Sequence, residues 1–161
     1  MTHRLVNSNR STVASAVVIP KLRLLWTEDV RFLGKMLANR EQDSEVHPFI
    51  KSLQTAKKSL LGMLPYGNAA LQEVPSPAKR IGLSVAKSNL QRLSADKVKL
   101  PKIFCQIEKD QFAMLQKAIS TPGVPDGIAT LLEEITATHQ KIVDQLSRIT
   151  KTQQLQPIVL R

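Results

Sequence analysis

Apolar residues in this chain recur at spacings of three and four, with Pro and Gly punctuating the runs. The clearest run is Leu132, Ile135, His139, Ile142, Leu146 and Ile149, with steps of 3, 4, 3, 4 and 3. Such a stripe is the seam of a helix packed against another helix. It spans too few heptads to demand an intermolecular coiled coil, so packing within one bundle is expected. Asp126 is placed to cap this helix. The stretch before it, Thr121 to Gly127, holds two prolines and two glycines and is a clear break.

Upstream, Phe104, Ile107, Met114, Leu115 and Ile119 give the inward face of a helix that begins near Pro101. Phe49, Leu53, Ala56, Leu60 and Leu64 predict another, starting between Ser44 and Pro48 and stopped by Pro65, Tyr66 and Gly67. Its last turns carry Lys57 and Lys58, favourable at the negative end of the helix dipole. Ser76 followed by Pro77 opens a further helix to about Ser94, with Leu83, Ala86, Leu90 and Leu93 on one face. Thr27 is expected to cap a helix carrying Glu28 and Asp29 in its first turn and Val30, Leu33 and Leu37 as its stripe. Val13 to Trp26 supplies a short helical piece interrupted at Pro20. Period-2 alternation is absent. The expected fold class is therefore all-α: a single bundle of about five helices over residues 26–151, with a basic N-terminal arm over 1–25 and a C-terminal tail over 152–161.

Composition changes this picture in one respect. The 161 residues carry a formal net charge of +10, and the surplus is lopsided. Residues 1–102 hold 17 Lys/Arg against 7 Asp/Glu, whereas residues 103–161 hold 6 of each. Between Lys79 and Lys102, seven basic residues face one acid, Asp96. Clustered cations favour a polyanionic partner, because neutralised phosphates release counterions. Aromatic residues make up only 4% of the chain, and most fall at apolar helical positions, so few remain for stacking on bases. Contact with nucleic acid should be electrostatic and directed at the phosphate backbone, without base specificity. The candidate backbone contacts are Lys57, Lys58, Lys79, Arg80, Lys87, Arg92, Lys97, Lys99 and Lys102. Arg80 and Arg92 would grip phosphate oxygens bidentately, and the lysines would act as point charges.

The groups that carry chemistry are sparse. His3, His47 and His139 lie far apart in sequence, and Cys105 is the single cysteine, so neither a disulfide nor Cys/His zinc spacing is available within the chain. Cys105 reads as a small buried hydrophobe and His139 as a packed or hydrogen-bonded seam residue. The acidic pairs Glu28/Asp29 and Glu133/Glu134 suit helix first turns, and no Gly-rich loop precedes a Lys-Ser or Lys-Thr. The reading is a non-enzyme without cofactors. No apolar run reaches the length of a membrane span. The first 25 residues hold Arg4, Arg10, Lys21, Arg23, three serines and no acid, a composition like that of a mitochondrial presequence. Cytoplasmic residence is expected, with the mitochondrial matrix as the alternative.

The basic helix from Ser76 to Ser94, with Lys79, Arg80, Lys87 and Arg92, and the lysine linker Lys97, Lys99 and Lys102 give the chain an architecture that resembles the small helical subunits of type I CRISPR effector complexes, type I-D in particular. That resemblance implies several copies stacked with other subunits, holding a displaced DNA strand or a guide–target duplex by its backbone. Two other readings fit the same residues: a mitochondrial or other ribosomal protein with its arm and basic helix set in RNA, and a helical scaffold whose working surface is the Leu132 to Ile149 seam.

Overall fold

The computed structural model describes residues 2–38, 45–64, 96–120 and 126–160, with side chains described from Val18 onward. These residues form four helices and no strand: α1 (Thr2–Leu37), α2 (Val46–Met63), α3 (Lys99–Ile119) and α4 (Asp126–Thr152). The all-α class is thus observed. The helix expected over Ser76 to Ser94 lies outside the described residues.

The helices pair as two antiparallel hairpins. α1 packs most extensively on α2, and α3 on α4; the pairs then join through lighter α1/α3 and α2/α4 packing. Inward stripes on all four build one core, in which Leu22, Trp26, Leu33, Met36, Ile50, Leu53, Leu60, Leu100, Leu115 and Leu132 are almost wholly enclosed. Each such side chain contributes about 1.5–3 kcal/mol of apolar transfer, which is what holds the pairs together. Every member of the Leu132 to Ile149 stripe is buried, as the spacing requires. Phe49, Leu53, Ala56, Leu60 and Leu64 are buried too. In α3, Phe104, Ile107 and Leu115 enter the core, while Met114 and Ile119 pack half-exposed at its edge.

The N-terminal region departs from expectation. α1 runs without a break through Pro20, where the residue pattern places an interruption. Ile19, Leu22 and Leu25 are already core residues, and their burial offsets the backbone hydrogen bond that proline cannot make. Thr27 caps nothing: it sits mid-helix, with its hydroxyl donating to the Arg23 carbonyl at 2.6 Å. At the start of α3 the cap is Asp96, whose Oδ1 accepts from the amides of Val98 and Lys99 at 3.2 and 2.8 Å. The helix consequently begins at Lys99, two residues before Pro101.

The tail after α4 is docked. Gln153 takes a left-handed φ of 58° and turns the chain off the helix. Ile158 is then buried against the bundle, its amide donating to Ser52 Oγ at 2.7 Å. No described helix is long and apolar enough to cross a membrane.

Candidate functional site

Two features of the bundle carry charge: a closed ionic cluster at its centre and a cationic end. At the centre, each helix sets a polar residue in its apolar stripe at the same level: Asp29 from α1, Lys57 from α2, Glu108 and Gln111 from α3, His139 from α4. The Lys57 ammonium lies 2.8 Å from Glu108 Oε1, 2.9 Å from its Oε2 and 3.1 Å from Asp29 Oδ2. It also donates to Gln111 Oε1 at 2.5 Å and stands 5.2 Å from the Trp26 ring centroid. The Gln111 amide donates to Asp29 Oδ2, and Trp26 Nε1 donates to Gln111 Oε1, both at 2.6 Å. His139 Nε2 lies 2.6 Å from Glu108 Oε2, with its ring edge-on to Trp26.

The electrostatics follow from this geometry. Burial pushes the Glu108 carboxyl up, but the Lys57 charge, the His139 hydrogen bond and charge, and the Lys57 hydrogen bond outweigh it, and its pKa falls to about 2. Because that carboxylate only accepts, His139 Nε2 is the donor, and its Nδ1 is left without a hydrogen-bond partner. Side-chain exposure in the ion pairs of this cluster is at most 6%. An outside molecule would reach these groups only if the helices parted, so their chemistry is that of an internal lock on helix register. Among the described residues, no three His, Cys, Asp or Glu side chains converge closely enough to hold a metal ion.

Lys57 was expected on a phosphate-binding surface, and its place in the cluster corrects that expectation: it has no solvent exposure and is spoken for by two acids. The same stripe that buries Leu53 and Leu60 carries Lys57 inward, four residues after one and three before the other.

The cationic end is defined by the start of α2 and α3. Lys97, just before α3, pairs with Glu45, just before α2, at 3.3 Å, and Phe49 meets Phe104 one turn in. α1 and α4 run the opposite way and finish there, as Asp29–Lys57 and Cys105–Ser147 require. Within about two turns of this end lie Lys35, Lys51, Lys97, Lys99, Lys102, Arg148 and Lys151, all exposed except the half-buried Lys97. The described acids there are Glu45, engaged by Lys97, and Asp96, engaged by backbone amides. α2 and α3 also present their positive dipole ends, with no acid in either first turn.

Of the sequence-derived candidates, Lys97, Lys99 and Lys102 are therefore brought together, and Lys35, Lys51, Arg148 and Lys151 join them from distant parts of the chain. Lys58 is exposed but lies toward the opposite end, near the finish of α2. Lys79, Arg80, Lys87 and Arg92 lie outside the described residues. Cys105 is buried, 3.6 Å from Ser147 Oγ, and behaves as a packing residue. No family model, no curated protein and no solved structure matches this chain.

Proposed function

We propose that the protein is a non-catalytic, nucleic-acid-binding helical subunit that holds a phosphate backbone against the end of the bundle where α2 and α3 begin. The observation that carries this reading is the gathering of Lys35, Lys51, Lys97, Lys99, Lys102, Arg148 and Lys151 from all four helices onto one end, where the two acids among the described residues are already engaged. The charge count supports it as well. Setting aside the buried Lys57, Asp29 and Glu108, the chain still carries 22 basic residues against 11 acidic ones, so the core consumes none of the cationic surplus. The stretch 76–94, which the residue pattern reads as a fifth and basic helix, carries Lys79, Arg80, Lys87 and Arg92 as further candidates by sequence and lies outside the described residues. Such a surface positions a sugar–phosphate backbone and reads no bases. The small helical subunits of CRISPR effector complexes, which the sequence resembles in architecture, have a role of this kind within a larger ribonucleoprotein assembly.

Binding of labelled single- and double-stranded oligonucleotides across a salt series tests the proposal. Affinity should fall linearly on a log–log plot, with a slope of roughly 0.7–0.9 per phosphate neutralised, and base composition should matter little. Absence of salt-sensitive binding at low ionic strength would reject it.

A further inference from the structure

The tail after α4 is held as a bound peptide is held. Gln145 on α4 reads both polar atoms of Val159: its Oε1 accepts the Val159 amide at 2.8 Å, and its Nε2 donates to the Val159 carbonyl at 2.5 Å. Ser52 on α2 accepts the Ile158 amide at 2.7 Å. Ile158 itself inserts between the helices and is 6% exposed, whereas Val159 is 49% exposed. Side-chain amide and hydroxyl groups thus pair the backbone of an extended segment while one apolar side chain fills a pocket, which is the logic of extended-peptide recognition. Nothing in the tail is itself helix or strand, and the polar stretch Gln153, Gln154 and Gln156 that tethers it is exposed. Between the tail and α2 a groove of about 570 Å³ stays open, walled by Pro48, Lys51, Thr55 and Ser59 on one side and by Pro157–Leu160 on the other.

We infer that this α2/α4 seam is a peptide-binding site and that its partner in trans is the Pro157–Leu160 segment of a second copy of the chain. The resident tail supplies the argument for that occupant. The seam already pairs this sequence atom for atom, so the same segment from another copy fits identically. Three backbone-directed hydrogen bonds, the buried Ile158 and the partly buried Leu155 and Leu160 are few enough contacts to release without opening the core, and the groove between the tail and α2 gives an arriving segment somewhere to seat first. A short tether confers an effective concentration in the millimolar range, so a lone copy closes on its own tail and exchange begins where copies are crowded to similar levels.

Two full-length variants with complementary defects test this. Ile158→Glu leaves the seam intact but gives it a tail whose carboxylate cannot enter the pocket. Gln145→Leu leaves the tail intact but removes its main reader. Sedimentation velocity at about millimolar total protein should find each variant alone monomeric and their equimolar mixture forming a one-to-one dimer. A mixture that stays monomeric, or a variant that dimerises alone, overturns the inference. Hydrogen exchange on the unaltered chain decides the matter independently of how the variants fold. The Ile158 and Val159 amides should exchange at least ten-fold faster than those around Leu146, yet slower than in a free peptide spanning 154–161. Exchange as slow as at Leu146 would mean that the tail leaves only on global unfolding, and exchange at the free-peptide rate would mean that it is not bound; either result overturns the inference.

Discussion

Lys57 on α2 and Glu108 on α3 face one another through the middle of the bundle, the ammonium within 2.9 Å of both carboxylate oxygens. The two helices are not a hairpin pair; α2 packs chiefly on α1, and α3 chiefly on α4. The ion pair therefore ties one hairpin to the other at a fixed register, and Asp29 and His139 extend the tie to the remaining two helices.

Removing Lys57 should be costly out of proportion to its size. Lys57→Met preserves most of the volume but leaves Asp29 and Glu108 enclosed without their cation. The void that adjoins both acids measures about 10 Å³, room for one water at most, so hydration cannot replace the ammonium. A loss of about 3–5 kcal/mol is expected, read from urea unfolding. The double variant Lys57→Met with Glu108→Gln should lose less than the sum of the two single losses, because the second change removes a charge that the first stranded. A single-variant loss below about 1 kcal/mol, the scale of an exposed ion pair, would show that the pair is not closed off from solvent.

Acid should undo the same lock over a defined window. The Glu108 carboxyl sits at about 2 in the folded chain against an ordinary 4.5. Between those values the unfolded chain holds the extra proton, so stability rises with pH there. The contribution is complete above about pH 4.5 and disappears as pH falls through about 2; its size is about 3 kcal/mol. Unfolding free energies measured at pH 5 and at pH 2.5 should differ by most of that amount in the unaltered chain. In Glu108→Gln the difference should shrink markedly, and an unchanged difference would assign the acid sensitivity to other carboxylates.

Much of this was legible in the residue pattern, and the parts that were not have identifiable causes. The α4 seam from Leu132 to Ile149 and the α2 stripe from Phe49 to Leu64 follow from spacing alone, because burial of one helix face imposes a 3.6-residue period. His139 fell within its seam and is buried as that position requires. Lys57 was misplaced because its charge suggested a surface, although its spacing from Leu53 and Leu60 pointed inward. Asp29 between Trp26 and Leu33, and Glu108 between Phe104 and Leu115, bear the same signature. A charged residue at a seam position on each of several helices, with signs that compensate, is the pattern that would have exposed the cluster. Along the chain the cationic end shows as one continuous run in its Lys97, Lys99 and Lys102 portion. Lys35, Lys51, Arg148 and Lys151 reach it by tertiary packing, which no local window contains. Continuity of α1 through Pro20 is likewise a tertiary result, since burial of Ile19 and Leu22 overrides a local breaker.

Two helical glycines should respond differently to alanine. A Cβ on Gly62, near the end of α2, meets nothing within 4 Å. Gly62→Ala should therefore stabilise the chain by about 0.5–1 kcal/mol through helix propensity. On Gly34 a Cβ would lie 3.2 Å from Gln54 Nε2, which donates to the Val30 carbonyl at 3.1 Å. Gly34→Ala must displace that amide and weaken a bond between α1 and α2, so the propensity gain is offset and the net change should be near zero or unfavourable. Paired thermal melts compare the two directly; an equal gain at both sites would mean that Gln54 yields freely.

Position, rather than total charge, should govern the grip on nucleic acid. Lys99→Glu with Lys102→Glu, at the cationic end, and Lys109→Glu with Lys141→Glu, at mid-bundle, change the net charge by the same amount. All four side chains are exposed, so helical content should survive in both double variants. Lys109 and Lys141 stand ten residues from Lys99 and Lys151 along their helices, about 15 Å down the bundle, beyond one screening length at physiological salt. If phosphates sit at the end where α2 and α3 begin, the first pair should lower the salt slope by roughly 0.7–0.9 for each phosphate no longer neutralised and weaken affinity at low salt. The second pair should shift affinity modestly and leave the slope in place. Equal effects from both pairs would reduce the cationic end to a contributor to overall charge and place no backbone there.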